Sequence, residues 1–280
     1  MTTGRRRSGP EFMVWLFAVP ALALMTLSSI VPIAQTFALA HGYKRVLADT
    51  QLWAVLRNTC VFAAWSVSLE LVLGLAVALL LMCPFRGRGL VRAAVLIPWA
   101  LPAAVMAMAW RWIFNADYGV FSDVLYRLHL SSQPQVAWLA QPGMALFACI
   151  LADVWKTTPF MAILLMSGLA SIPDELYEAA SIDGAGPARR FFTITLPLLK
   201  PTIALAVLFR AIQAFGVFDL IYVMTGGGPG GRTRMIALYI YDTVFRYQEL
   251  GYGCTLSLVM AASLLLISGA VFAGLRPRSK

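Results

Sequence analysis

Apolar residues occupy this chain in six long runs, and polar residues are confined to the short intervals between them. The runs cover residues 13–39, 53–82, 91–114, 144–169, 198–224 and 253–275. Each supplies the ~20 residues that a helix needs to cross a hydrocarbon layer of about 30 Å. None alternates apolar and polar positions with the period of two that a membrane barrel strand shows. In hydrocarbon a backbone N–H finds no water, so each run has to satisfy its own hydrogen bonds, as a helix does. The pattern predicts an all-α membrane protein with six transmembrane helices. Residues 13–275 form one transmembrane domain, with polar tails at 1–12 and 276–280.

Composition agrees. The chain is 60% hydrophobic and only 12% charged, against about a quarter charged in ordinary soluble domains. Mean hydropathy is +0.77. A soluble fold of 280 residues has too little interior to hide that much apolar surface.

The net charge of +9 is spread between the apolar runs and reads as a topology signal rather than a nucleic-acid footprint. With both ends placed inside, one face collects the clusters at Arg5–Arg7, Arg86–Arg92, Arg189–Lys200 and Arg276–Lys280. The other face holds the sparser Lys44, Arg45, Arg57, Arg111, Arg127, Arg232, Arg234 and Arg246, while Lys156 and Arg210 fall inside runs. Both termini are therefore expected to be cytoplasmic. The start, with Arg5–Arg7 and the cleavage-like triplet Ala38-Leu39-Ala40, superficially resembles a secretory signal. Its apolar run is about twice the ~7–15 residues of a signal core, so an uncleaved anchor is expected. Cys60, Cys83, Cys149 and Cys254 show no paired spacing and read as small apolar filler, not as disulfides or metal ligands.

One polar interval is unusually rich in local signals. Ser171, followed three residues later by Asp174 and with Pro173 between them, has the form of a capping box opening a short helix. Asp174 and Glu175 suit the positive end of that helix. Asp183-Gly184 signals a turn, Pro187 can begin a second short helix, and Leu196-Pro197 leads into the fifth run. Two short helices about a glycine turn make a compact knob at 171–197.

Within the knob, Glu178-Ala179-Ala180, Asp183-Gly184, and then Ile194-x-Leu196-Pro197 resemble the cytoplasmic EAA loop of importer-type ABC-transporter membrane subunits. Further resemblance runs from about residue 53 onward. It is carried by Ile97-Pro98-Trp99-Ala100-Leu101-Pro102, Trp110-Arg111-Trp112, Tyr118-Gly119, Pro159-Phe160, Phe218-Asp219-Leu220-Ile221-Tyr222 and Thr225-Gly226-Gly227-Gly228-Pro229. These are similar to the maltose-transporter-like half of the carbohydrate-uptake permeases. Two positions depart from that pattern: Ser122 stands where Asn is common, and Gly231-Arg232-Thr233 replaces an Asn-Ser-like segment. Both fall on the outer side, where they are expected to bear on receptor docking. The resemblance implies a multi-pass subunit of a bacterial or archaeal cell membrane. It implies as partners a pair of ATP-binding subunits, a second and related permease, and an extracytoplasmic solute-binding protein. The solute it implies is a sugar or sugar-like molecule. A stand-alone secondary transporter or channel is the competing class, but no half-to-half repeat of the kind common in such carriers is visible.

Charged and aromatic residues inside the runs are the candidates for a translocation pathway, because burying charge in lipid costs several kcal/mol. Asp153 and Lys156 share a helix face and can neutralise one another, and Pro159 removes the backbone bond to Trp155. Arg210 and Gln213 share a face of the fifth helix, with Asp219 on another face if that helix is regular. Glu70 lies in line with Ser66, Gly74 and Ala78, a small-residue stripe that reads as close helix packing. Trp110 and Trp112 suit the membrane interface, which leaves Trp99 as the aromatic candidate for stacking on a sugar.

No catalytic machinery or cofactor site is expected. The segment from Gly226 to Thr233 is one residue from a phosphate-binding P-loop, but it lacks the lysine and the preceding strand. The segment from Asp183 to Arg189 resembles the opening of the CDP-alcohol phosphotransferase motif without its further carboxylates, which a divalent ion requires.

The topology is testable by single-cysteine labelling of intact cells. A cysteine introduced at Gly230 should react with an impermeant reagent, and one at Ala185 should not. Efficient labelling at Ala185 from outside would reverse the orientation.

Overall fold

The computed structural model describes residues 9–275. The tails at 1–8 and 276–280, with their arginine clusters, lie outside the described residues. The elements in chain order are α1 (Gly9–Leu39), α2 (Tyr43–Ala48), α3 (Thr50–Met82), α4 (Arg88–Ala100), α5 (Ala103–Ile113), α6 (Val120–Arg127) and α7 (Pro142–Leu169). They continue with α8 (Asp174–Ile182), α9 (Pro187–Arg190), a π turn at Phe191–Thr195, α10 (Leu196–Phe215), α11 (Asp219–Met224), α12 (Ile236–Tyr241) and α13 (Leu250–Leu275). Among the described residues the regular structure is entirely helical. Five helices are long and apolar enough to cross a membrane, or six if the bent pair α4–α5 is one crossing.

The core is built by α3, α7 and α10. Close approach explains why a small residue is needed: a Cβ on Gly74 would lie 2.7 Å from the Cγ of Met161 and 3.2 Å from the nitrogen of Ala162. The expected stripe of Ser66, Glu70, Gly74 and Ala78 is thus buried against α7. At the other end of α7, a Cβ on Gly168 would meet Thr202 Oγ1 at 2.4 Å, so α7 and α10 also touch backbone to side chain. By contrast, no described side chain of α1 is buried, and Trp15, Phe17, Leu24 and Met25 lie open, as lipid permits.

Two expected spans are broken. The third turns by 91° between α4 and α5. Pro102 has no N–H to continue the ladder, and it forces Leu101 into an extended conformation, with ψ 138. Carbonyls freed at this corner are taken by an element distant in sequence, as Lys156 Nζ donates to Trp99 O at 3.2 Å and to Leu101 O at 2.5 Å. The fifth span is likewise not one helix, since α10 stops at Phe215 and α11 begins at Asp219. The helix face on which Asp219 was expected therefore does not exist. Helix α7 runs on through Pro159.

On the face opposite the 171–197 knob, Asp49 ties three elements together. One of its oxygens caps α3 by accepting from Gln51 N at 3.0 Å and Leu52 N at 3.1 Å. The other accepts from Tyr239 Oη at 2.7 Å and Tyr252 Oη at 2.6 Å. Burial pushes this carboxyl up, but the two tyrosine hydroxyls and two backbone N–H groups outweigh it and hold Asp49 below the usual carboxylate range.

Candidate functional site

The centre of the bundle holds a buried ionic network that joins α3, α7 and α10. Arg210 is 2% exposed and Glu70 is fully buried. The guanidinium grips Glu70 bidentately, Nε to Oε2 at 2.5 Å and Nη2 to Oε1 at 2.8 Å. Nη2 also donates to Asp153 Oδ2 at 3.0 Å, and Nη1 donates to Gln213 Oε1 at 3.0 Å. Thr157 Oγ1 donates to Glu70 Oε1 at 2.7 Å. A planar guanidinium offers five donors in a fixed fork, and four of them are used here. Carboxylates removed from water are tolerated only with such pairing.

This arrangement corrects two sequence expectations. Asp153 pairs with Arg210, not with Lys156, which goes instead to the carbonyls of the α4–α5 corner. Glu70 is a member of the ionic network as well as of the packing stripe. The signal for it was present, a lone acid and a lone arginine in apolar helices, but nothing in the sequence says that positions 140 residues apart meet. Of the residues expected along a pathway, Arg210 and Asp153 are buried, whereas Gln213, Asp219 and Trp99 are exposed. Trp99 stacks on Phe160 with ring centres 5.9 Å apart and is 48% exposed.

Gln213 is the point at which the network meets open space. Its carbonyl oxygen is occupied by Arg210, so its amide nitrogen is left as a donor. It lies one turn before the break, where Gly216, Val217 and Phe218 separate α10 from α11.

The knob is the second candidate site. Helices α8 and α9 are separated by Gly184 at φ +75, with the expected second helix starting at Pro187. Ser171 does not cap α8: its hydroxyl donates back to Gly168 O at 2.7 Å, and Pro173 holds the cap position without a side-chain bond. Tyr177 and Thr195 hydroxyls lie 2.9 Å apart and tie α8 to the π turn. From Pro187 to Phe215 the chain then forms one continuous helical stretch of 29 residues. Glu178, Ala179, Asp183, Gly184 and Pro197 are exposed, Ala180, Ile194 and Leu196 are half-buried, and Ile182 is 88% exposed.

On the opposite face, Ser122 is buried and accepts from Trp138 Nε1 at 2.9 Å. It anchors an aromatic cluster of Phe114, Phe121 and Trp138. Arg232, in the other departure from the family pattern, is exposed.

Such a bundle of membrane-length helices is that of a multi-pass membrane protein. The chain belongs to the family of binding-protein-dependent transport system inner membrane components, whose pattern matches residues 70–278. It is 43% identical over 271 residues to the trehalose/maltose transport system permease protein MalF of Thermococcus litoralis, covering 91% of this chain and 90% of that protein. It is 38% identical over 277 residues to the sulfoquinovosyl glycerol transport system permease protein SmoG of Agrobacterium fabrum, covering 93% and 89%. The trehalose permease protein SugA of Mycobacterium tuberculosis is 38% identical over 227 residues, covering 81% of this chain and 71% of that protein. In fold, the chain superposes on a bacterial ABC transporter involved in alginate import with a TM-score of 0.83 at 21% identity, covering 96% and 97%.

The network has a measurable signature. Arg210→Met leaves two buried carboxylates without a cation and should cost about 3–5 kcal/mol, the usual loss when one partner of a buried pair is removed. Glu70→Gln keeps an acceptor for the guanidinium and should cost less. In a double-mutant cycle on the purified protein, Glu70→Met with Arg210→Met should be more stable than Arg210→Met alone. Simple additivity of the two losses would show that the residues do not depend on each other.

Proposed function

We propose that this chain forms one half of the translocation pathway of an ATP-driven saccharide importer and receives its driving motion through the knob at 178–197. What supports the substrate class is that curated relatives at 38–43% identity are named for trehalose, maltose and sulfoquinovosyl glycerol transport. The partners on this reading are a pair of ATP-binding subunits at the knob, a second permease beside the bundle, and a solute-binding protein on the opposite face. The tails are cytoplasmic. ATP chemistry belongs to the partner subunits, and this chain contributes only the docking surface for it.

The observation that carries the coupling role is the exposure of the knob together with its continuity with α10. Glu178 and Asp183 present carboxylates, Ala179 and Ala180 allow close approach, and Ile182 supplies an apolar tip. A push on α9 is delivered along a continuous helical stretch to Arg210 and Gln213. A stand-alone carrier has no use for such a surface.

Within the pathway, Gln213 is the hydrogen-bond donor to the sugar, oriented by Arg210. Asp219 and Trp99 supply an acceptor and a stacking face. Arg210 and Asp153 act as positioning residues behind them.

Two measurements test this reading. Gly184→Val places a Cβ at positive φ with no atom within 4 Å, so its cost is backbone strain of about 1–2 kcal/mol. It and Glu178→Lys should leave the bundle inserted but reduce co-purification of the ATP-binding subunit and uncouple hydrolysis from the binding protein. Wild-type transport with full subunit retention in both variants would overturn the coupling assignment. Gln213→Ala should raise the apparent KM for uptake about fivefold, the value of one hydrogen bond, with binding-protein-stimulated hydrolysis retained. Unchanged KM would remove Gln213 from the pathway.

A further inference from the structure

On the face opposite the knob, a cavity of about 590 Å³ opens between the start of α3 and the start of α7. Two arginines 175 residues apart in sequence, Arg57 and Arg232, line it together with Asn58, Val61, Gly143 and Leu146. On the same face Arg111 donates to the Val223 carbonyl, and Arg45, Arg127, Arg234 and Arg246 each have a carboxylate partner. Among the described residues Arg57 and Arg232 have none, and no acidic side chain lines the cavity.

Their convergence is built rather than incidental. Asn58 is buried, and its Nδ2 donates to Gly231 O at 3.0 Å and to Arg234 O at 3.4 Å. Thr59, fully buried, accepts from Ile236 N at 3.0 Å. Adjacent residues of α3 therefore hold down both sides of the loop that carries Arg232, beside Arg57. Bringing two unneutralised guanidiniums to one cavity costs repulsion, which an anion would relieve. The third wall is the first turn of α7, whose cap residue Gln141 makes no side-chain cap bond. Gly143 there adds a backbone N–H at the positive end of a 28-residue helix.

Depth in the membrane selects the kind of anion. Helix α3 has 33 residues, about 50 Å of length against a hydrocarbon thickness of about 30 Å. Centred in the bilayer, it puts Arg57 about 10 Å from its start, at the headgroup boundary, and Val61 one turn deeper. Leu146, which lines the same cavity, lies one turn into α7. The cavity is cationic where phosphates lie and apolar where acyl chains begin.

From this we infer that the cavity binds the phosphate headgroup of an anionic phospholipid, with Arg57, Arg232 and the start of α7 on the phosphate and Val61 and Leu146 along the first acyl carbons. The site stands independently of the transported solute and of the knob.

The test uses the full chain, purified with its transporter partners, and a photoreactive phosphatidylglycerol. Crosslinks should map to the peptides around residues 57–61, 142–146 and 231–233. Phosphatidylglycerol should raise the melting temperature saturably, and phosphatidylcholine should not. Arg57→Gln and Arg232→Gln should each weaken the apparent affinity about fivefold, with Arg127→Gln as the unaffected control. If either variant folds poorly, Arg57→Lys, which retains charge but loses the fork, gives an intermediate affinity. Inorganic phosphate alone should neither stabilise the protein nor displace the crosslinker. Equal crosslinking in the double glutamine variant, equal stabilisation by phosphatidylcholine, or displacement by inorganic phosphate at low millimolar concentration would each overturn the assignment. So would protection of these peptides by the partner permease or the binding protein in place of lipid. Uptake measured in parallel with a Gln213→Ala control separates failure of this site from failure of the importer reading.

Discussion

The grip of Arg210 on Glu70 and Asp153 is the interaction around which the rest of the bundle is arranged. It fastens α3, α7 and α10 through side chains that are almost fully buried, so none of the three can slide without leaving an unpaired charge in a low-dielectric interior. A network this deep constrains helix register more than it adds net stability, because desolvation cancels much of the attraction. Close packing supports it from both sides: Gly74 lets α3 reach α7, and Gly168 lets α7 reach α10. The last free donor geometry of the network ends at Gln213, so the same residue that locks the core also orients an exposed amide.

Irregular backbone in this protein falls next to that core rather than against lipid at random. Broken helices are tolerated at membrane depth only where other protein groups satisfy the freed carbonyls or where the break lines a cavity. At the α4–α5 corner Lys156 supplies the missing donors, which explains a lysine inside a membrane-length helix. The break between α10 and α11 begins one turn after Gln213, so the backbone opens close to where the network ends. The continuous stretch Pro187–Phe215 runs from the exposed knob to this break.

The two faces are held by different physics. On the knob side there are short helices, a glycine turn and exposed carboxylates. On the other, Asp49 collects two tyrosines and the start of α3, and Asn58 and Thr59 hold down the loop after α11. Loops of this kind carry arginines into places that hydropathy does not foresee.

The sequence by itself determined what depends on local chemistry. Six apolar runs of spanning length impose membrane helices because hydrocarbon leaves no other partner for the backbone. Asp183-Gly184 and Pro187 shaped the knob because turn and helix-start preferences act within a few residues. The small-residue stripe on α3 was legible for the same reason. Pairing across the bundle was decided only by tertiary structure. Asp153 had a partner three residues away in sequence and chose one on another helix, because the bidentate fork of Arg210 satisfies two buried acids at once while the Lys156 ammonium is claimed by the corner carbonyls. The bend at Leu101 was written in Pro102, but its tolerance in the membrane was not. Charge alone says that Glu70 must be neutralised, and only the packing of α3 against α7 and α10 says by what.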